Sequence, residues 1–179
     1  GSNGLDVINI RAGYMRRNRD AVTLVFDEKF RNDLFNNVEG IKHIWYKNTL
    51  SSTITFGETS ATTSCAAIEY GYLEMYNMEL EAGNFFSVTD IEKGLQKLII
   101  SRDLANDLFP MGDALGKNVM LVANNVTFGF KIIGILKDQT TGMETSTAFI
   151  PRGFYAKKIK PNSPADNVLV QVNNAKEAS

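Results

Sequence analysis

The chain has 179 residues, 44% hydrophobic and 22% charged, values near the globular average that exclude a disordered polymer and leave room for one sizeable domain or two small lobes. Its 19 lysines and arginines against 20 acidic residues give a net charge of -1, which removes any electrostatic ground for nucleic-acid binding. No apolar run approaches the ~20 residues that span a bilayer; the longest, at 97–100 and 130–136, are strand-length.

In chain order, Gly1-Ser2 reads as a cloning scar and residues 1–4 as scar and linker. Residues 5–11 alternate as a strand, with Val7 on one face and Ile8 and Ile10 on the other. Residues 11–20 are polar and basic and predict a loop. Phe26, Phe30 and Leu34 recur at every fourth position, with Val38 one step beyond; this predicts a helix stopped by Asn36-Asn37 and Gly40. Residues 41–46 and 53–56, rich in β-branched and aromatic side chains, predict two strands joined by a polar turn. Residues 61–70 predict a third strand, with Thr62, Ser64, Ala66 and Ile68 on one face.

Residues 70–80 predict a short helical turn, and 81–86 a turn leading into aromatic anchors. Residues 97–100 form a compact strand. Ser101 then caps a helix, because its hydroxyl can accept a free amide of the first turn. That helix carries Leu104, Ala105 and Leu108 inward and stops before Pro110. Residues 117–122 and 127–136 predict a hairpin around Asn124-Asn125, with Phe128, Phe130, Ile132, Gly134 and Leu136 on one parity. A strand at 147–150 stopped by Pro151, a brief helix at 153–159, a linker at 161–164, a strand at 168–172 and an unfinished helix from 173 complete the chain. Several strands, two strong helices and mixed connections imply an α+β class.

The chemistry-bearing residues yield no catalytic constellation. His43 is the only histidine and cannot make a zinc site alone; in a strand beside Ile44 and Trp45 it reads as a structural or surface residue. Cys65 is the only cysteine, so no intrachain disulfide exists, and with no neighbouring base or cation it reads as a small buried residue rather than a nucleophile. The run from Gly112 to Asn118 fails as a phosphate loop. Three residues separate Gly112 from Gly116 where four are required, and Asn118 stands where a hydroxyl should hold magnesium. Asp103, Asp107 and Asp113 lack calcium-loop spacing. Arg11, Arg16, Arg17 and Arg19 form the strongest local charge cluster, read as a solvated loop, or else as a contact for lipid headgroups or an acidic partner. Asn125-Val126-Thr127 matches a glycosylation pattern and reads as a turn entering a strand. No catalytic residue, cofactor or metal is predicted, which favours a binding or structural domain over an enzyme.

Residues 80–137 resemble the signature region of the MacB-type periplasmic core domain, found between the first two membrane helices of MacB, lipoprotein-releasing and related ABC transporter permeases. The family's Gly-Arg-x-Phe element and nearby aspartate are matched by Gly83-Asn84-Phe85-Phe86 and Asp90. Its strand and its helix ending in Leu-Phe are matched by Leu98-Ile99-Ile100-Ser101 and by Leu104 to Leu108-Phe109. Leu115-Gly116-Lys117 matches the aliphatic-Gly-Lys loop, and Phe130-Lys131-Ile132-Ile133-Gly134-Ile135 the closing strand. Phe149-Ile150-Pro151 resembles the later aromatic-proline step. Asn84 departs from the usual arginine, and Pro110 from a frequent glycine; the rest of the chain matches only in outline.

The resemblance implies two lobes. A porter-like α/β sandwich would take residues 5–72 and 164–179, and an inserted β-rich, Sabre-like lobe residues 73–163. It makes Gly83, Phe85, Phe86, Asp90, Leu108, Phe109, Gly116, Lys117, Phe130, Gly134 and Pro151 a structural motif. Within it Gly83 and Gly116 allow unusual backbone angles. Phe85, Phe86, Leu108 and Phe109 are expected core anchors, each stabilising by ~1.5–3 kcal/mol when fully buried, and Lys117 a loop charge. The implied function is non-catalytic: an extracytoplasmic domain, on the periplasmic side of a bacterial inner membrane, that couples ATP-driven helix motion to periplasmic change during export or extraction of substrate. Each lobe would be rigid, with a hinge near Pro161-Asn162-Ser163-Pro164. The implied partners are the protein's own transmembrane helices, a cytoplasmic ATPase in a separate domain or subunit, a second permease copy or paralogue, and a periplasmic adaptor or lipoprotein. Two other readings stand beside it. A ligand-sensing receptor domain requires an enclosed polar pocket, and a hydrolase requires a spatially assembled site.

Overall fold

The computed structural model describes residues 5–11, 14–17, 20–138 and 144–173. It divides into two units: the described residues up to Asn48 together with those from Ser163, and residues 49–162.

In the first unit, Asp27 caps helix α1 (Glu28–Asn37) by accepting the Phe30 amide at 2.9 Å. Phe26, just ahead of the cap, is fully buried, and its ring lies 5.0 Å from that of Phe30. The helix ends at Asn37. Val38 is extended and exposed, so the apolar stripe stops a turn earlier than its spacing suggested. Strand β1 (Leu5–Arg11) pairs antiparallel with β11 (Asn167–Asn173), and β11 with the first half of β4 (Ile41–Phe56). Phe26, Ile44, Tyr46, Ala165, Val168 and Val170 form the core, with Phe30 and Leu34 packed against it. The Tyr46 hydroxyl donates to the Asp27 carbonyl, and the Arg31 guanidinium lies 4.0 Å over the Tyr46 ring.

Two expectations are corrected here. The loop expected at 11–20 contains β2 (Tyr14–Arg17), paired in a hairpin with β3 (Asp20–Thr23). The two strands and polar turn expected across 41–56 are one continuous strand of 16 residues. Its polar middle needs no excursion to water because it is satisfied in place. The Lys47 carbonyl accepts the Asp166 amide at 3.0 Å, Asn48 donates to the Pro164 carbonyl at 2.9 Å, and Ser52 to the Thr63 carbonyl at 3.3 Å. The helix expected from 173 does not begin there, since Asn173 is the last residue of β11; Arg19 and residues 174–179 lie outside the described residues.

The second unit is built on a ring of strands. The second half of β4 pairs with its hairpin neighbour β5 (Thr59–Ile68). Strand β5 runs parallel to β10 (Ala148–Pro151), with Cys65 opposite Ala148, and β10 is antiparallel to β7 (Lys97–Ser101). Strand β7 runs parallel to β9 (Val126–Leu136), β9 is antiparallel to β8 (Asn118–Ala123), and β8 returns to β4, with Leu121 opposite Ile54. Six strands therefore close on themselves, and β6 (Leu80–Gly83) adds to β9 outside the ring. A ring this small is filled by its own side chains. Ile54, Cys65, Ala67, Leu98, Ile100, Val119, Leu121, Phe130, Ile132, Ala148 and Ile150 share one core, each at most 1% exposed. Small residues at 65, 67 and 148 leave room for the larger ones across the lumen.

Ser101 accepts the Leu104 amide and starts α4 (Arg102–Leu108), which buries Leu104, Ala105 and Leu108 as expected. The β8–β9 hairpin turns at Asn124 and Asn125, both left-handed with φ of 54° and 64°, as a two-residue hairpin turn requires. Helix α2 (Tyr72–Met75) is the short turn read from the sequence, and α5 (Arg152–Phe154) runs into a π-helical turn at Tyr155–Ile159. Helix α3 (Val88–Lys93) was not foreseen, and part of the turn expected at 81–86 is strand β6. The unit limits also put residues 49–72 with the second unit, whereas the sequence-based division left them in the first. The reason is the ring, since β4 and β5 supply two of its six strands.

Cys65 provides a check on this closure. Burial inside the ring pushes its thiol well above the ordinary value. We expect 5,5′-dithiobis(2-nitrobenzoate) to leave the native protein untouched and to react fully once the chain is unfolded. Rapid native labelling would mean that the ring is open at β5.

Candidate functional site

The residues that carry the family resemblance all lie in the second unit, on its strands, helices and turns. At the crossing of β6 and β9, Gly83 sits opposite Gly134. Gly83 has a φ of 84°, and a Cβ there would stand 2.0 Å from the Ile133 carbonyl oxygen. A Cβ on Gly134 would stand 2.8 Å from the Asn84 carbonyl oxygen. Two backbones meet there at a distance only glycine allows.

Phe86 is buried, whereas Phe85 is only half-buried; of the two expected aromatic anchors, one fills that role. Ser87 and Asp90 form a reciprocal capping box at the start of α3, with bonds of 3.0 and 2.9 Å. Asp90 also accepts Lys97 Nζ at 2.8 Å. Burial pushes its carboxyl up, but the Lys97 ammonium and the Ser87 bonds outweigh this and hold it below the usual aspartate value.

Leu108 and Phe109 are buried, with the Phe109 ring 4.5 Å from that of Phe56. Gly116 has a φ of 85° and donates its amide to the Ile132 carbonyl at 2.8 Å; Ile132 returns a bond to the Lys117 carbonyl at 2.9 Å. The Lys117 side chain is half-buried in the loop before β8. Phe130 packs edge-on against Phe154 at 5.0 Å, and Pro151 ends β10 opposite Ile68. The motif is a set of turns, caps and core anchors.

The other sequence candidates do not assemble a reaction centre. His43 is exposed on β4 in the first unit, 4.2 Å from the Trp45 ring. Cys65 is sealed in the ring of the second. Asp103 and Asp107 lie exposed on α4, and Asp113 in the loop after it. Among the described residues, no group of three His, Cys, Asp or Glu side chains is placed to hold a metal ion. The run 112–118 is the tight loop feeding β8 that its failed spacing suggested.

Two features had no sequence signal. The Tyr72 hydroxyl donates to Glu144, whose other oxygen accepts the Ser146 amide at 2.9 Å. Burial, then the Glu144 charge, raises the Tyr72 phenol far above its ordinary value. This cluster borders a cleft of about 160 Å³ of mixed character, lined by Ser101, Asp103, Lys137 and Glu144 together with Leu136 and Phe149. A more apolar cleft of about 520 Å³ lies between the β4–β5 hairpin tip and residues 108–113, where Met111 is 97% exposed. Both depend on residues far apart in sequence.

The model of the MacB-like periplasmic core domain matches residues 2–179. Among curated relatives, the uncharacterized ABC transporter permease YknZ of Bacillus subtilis (strain 168) is 28% identical over 149 residues, covering 80% of this chain and 36% of the relative. The macrolide export ATP-binding/permease protein MacB of Neisseria gonorrhoeae (strain ATCC 700825 / FA 1090) is 22% identical over 125 residues, covering 68% and 19%. The chain therefore spans about a third or less of these relatives' length. The extracellular domain of YknZ from Gram-positive bacteria shares the fold at a TM-score of 0.75 and 24% identity, covering 95% of this chain and 86% of that one. The periplasmic region of MacB from Actinobacillus actinomycetemcomitans does so at a TM-score of 0.74 and 18% identity, covering 98% and 79%. Among the described residues, no helix is long and apolar enough to cross a membrane.

Two substitutions test the motif's structural role. Gly83→Ala should destabilise the chain by roughly 2–5 kcal/mol, from the left-handed backbone and the clash with Ile133 together; urea denaturation measures it. Asp90→Asn should cost about 1 kcal/mol, the difference between a charge-assisted and a neutral bond. Because the folded carboxyl is depressed, its contribution is complete above the ordinary aspartate value of 3.8 and is lost as pH falls through the lower folded value. Melting curves recorded between pH 2 and 5 should therefore be flatter for Asp90→Asn than for the parent. Equal slopes would contradict the assignment.

Proposed function

The chain belongs to the MacB-like periplasmic core domain family, and from that premise we propose that it transmits motion rather than performing chemistry. In this reading it is the extracytoplasmic domain of an ABC transporter permease in a bacterial inner membrane. A cytoplasmic ATPase, in a separate domain or subunit, drives the flanking membrane helices. Their movement changes the periplasmic arrangement of this domain, of a second permease copy or paralogue, and of a periplasmic adaptor or lipoprotein, during export or extraction of substrate.

One observation carries the reading. Leu5 and Asn173, near the two ends of the described chain, are register partners in an antiparallel ladder. Such partners are about 5 Å apart. The polypeptide thus enters and leaves the domain at one place, as a domain inserted between two membrane helices must. A displacement of those helices acts on β1 and β11 together, and β11 is bonded to β4, whose far half belongs to the ring. The motif residues, all turns, caps and packing, suit a body that must hold its shape while it moves. The sensor reading, which requires an enclosed polar pocket, has less support: the cleft beside Glu144, at about 160 Å³, falls below the roughly 300 Å³ where ligand pockets begin, and the cleft of about 520 Å³ is lined mainly by apolar surface.

The test uses the full-length permease in proteoliposomes. One spin label replaces exposed Glu58 at the β4–β5 hairpin tip, and a second sits on a flanking membrane helix. Double electron–electron resonance should give distance distributions that differ between the nucleotide-free and ATP-trapped states. Identical distributions, with ATP hydrolysis intact, would sink the proposal.

A further inference from the structure

Residues 145–165 carry Arg152, Lys157, Lys158 and Lys160 and no acidic residue. The three lysines stand on the π-helical turn Tyr155–Ile159 and on the residue that ends it. Such turns are rare and recur at functional positions. This one is held from beneath: Phe154, Tyr155 and Ile159 are buried, and the Phe154 ring meets those of Phe128 and Phe130 edge-on at 5.1 and 5.0 Å. It is also held from the side by α3. A Cβ on Gly153 would stand 2.1 Å from the Ile91 carbonyl oxygen, and Lys157 Nζ donates to the Glu92 carbonyl at 3.0 Å.

That contact brings Lys93, the last residue of α3, beside the turn. A few residues on, the Gln96 carbonyl accepts the Lys131 amide of β9 at 3.1 Å, and the Gln96 side chain donates to the Gly129 carbonyl at 2.7 Å. Lys93, Lys131, Lys157, Lys158 and Lys160 are all exposed. Among the described residues, none of the five pairs with a carboxylate. Exposed lysines elsewhere do: Lys29 pairs with Asp33 and Lys137 with Glu79. In a chain of net charge -1, five like charges gathered on adjoining elements repel one another until an anion neutralises them.

The composition of this surface selects the anion. Protein interfaces are anchored by buried aromatic and arginine side chains and are depleted of lysine. Here the aromatic rings are turned into the unit, and Arg152, the nearby arginine, is directed to Glu69 at 4.0 Å. An ammonium group is a hydrated point charge that suits phosphate. A bilayer containing anionic lipid offers phosphates across a whole plane, and each lysine near that plane adds to the attraction. We infer that the lysine surface built by α3, β9 and the π-helical turn rests on anionic lipid headgroups. The inference rests on the proposed function in placing the domain beside a bilayer, and adds the surface that meets the lipid.

The test is co-sedimentation of the 179-residue chain with vesicles of phosphatidylcholine, alone or with about one third phosphatidylglycerol. The parent should bind only the anionic vesicles and be released at about 1 M salt, where the Debye length is ~3 Å. At roughly fivefold per lysine, joint replacement of Lys157, Lys158 and Lys160 by Gln should weaken binding about a hundredfold, and Lys93→Gln with Lys131→Gln about thirtyfold. Replacing Lys29, Lys42 and Lys137 by Gln removes as much charge from elsewhere and should leave binding near that of the parent. Near-ultraviolet circular dichroism should be unchanged in all three variants. Equal binding to both vesicles, binding indifferent to both sets of patch substitutions, or an equal loss in the control would overturn the inference. So would tighter binding to polyglutamate than to the vesicles, which would assign the surface to an acidic protein. Release by inorganic phosphate at constant ionic strength would also overturn it, in favour of a soluble anion. Any of these leaves the export reading standing, because that reading rests on the paired chain ends. Unchanged nucleotide-dependent distances beside intact lipid binding would sink the export reading alone.

Discussion

The short ladder between β8 and the second half of β4 closes the second unit, and its architecture depends on that contact. Three residue pairs, Thr53 with Val122, Ile54 with Leu121 and Thr55 with Met120, turn a curled sheet into a ring. Without them β4 and β8 would each present an unpaired edge, the usual liability of an open sheet. With them, the inward side chains of six strands share one core; the alternation slips by one residue in β9, where Ile132 and Ile135 both face it. Closure is possible because the lumen is graded by size. Cys65, Ala67 and Ala148 give way to Phe130, Ile132 and Leu98, and a large residue at any small position would overfill the ring.

The first unit works on a different principle. A single helix packs on a three-stranded sheet, with Phe26, Tyr46 and Val168 at the centre. Its strands carry the polypeptide in and out side by side, and the return at Ala165 bonds Phe26 at 2.9 Å. Strand β4 belongs to both units, with residues up to Asn48 in one and those from Thr49 in the other. Strand β1 pairs with β11 and β11 with the first half of β4, while the second half of β4 pairs with β8; in the proposed reading this strand order is the route a force on the chain ends would take. That route gives the mechanical reading its physical content and needs no reactive side chain.

What the sequence revealed, and what it hid, follows the range of the forces involved. Helix α4 was legible because Ser101, the apolar spacing and Pro110 are all local signals. The β8–β9 hairpin was legible because two adjacent asparagines tolerate the left-handed backbone its turn demands. Helix α3 was legible in principle, since Ser87 and Asp90 stand at capping-box spacing ahead of Gly94, but its short apolar stripe gave little periodicity. Strand β4 reads as two strands in the sequence because Lys47, Asn48 and Ser52 have the character of turn residues. Their partners at Pro164, Asp166 and Thr63 are supplied by other parts of the fold. The ring was not visible at all, because its parallel pairs join Cys65 to Ala148 and Leu98 to Ile132, and no local pattern encodes such contacts. Among the residues the resemblance singled out, Gly83 and Gly116 have the left-handed backbone expected of them, Lys117 lies in the loop before β8 with its carbonyl bonded to Ile132, and Phe85 is half-buried where a core anchor was expected.

If the domain conveys force, as proposed, the ring must open as one body. Native-state hydrogen exchange followed by nuclear magnetic resonance, with denaturant added in small steps, measures this directly. The ladder amides of β8 and of the second half of β4 should open only with those of β5, β7, β9 and β10, at one free energy equal to that of global unfolding. If β8 instead exchanges through an opening far cheaper than that of the remaining strands, the ring is not a single rigid body, and the mechanical account fails with it.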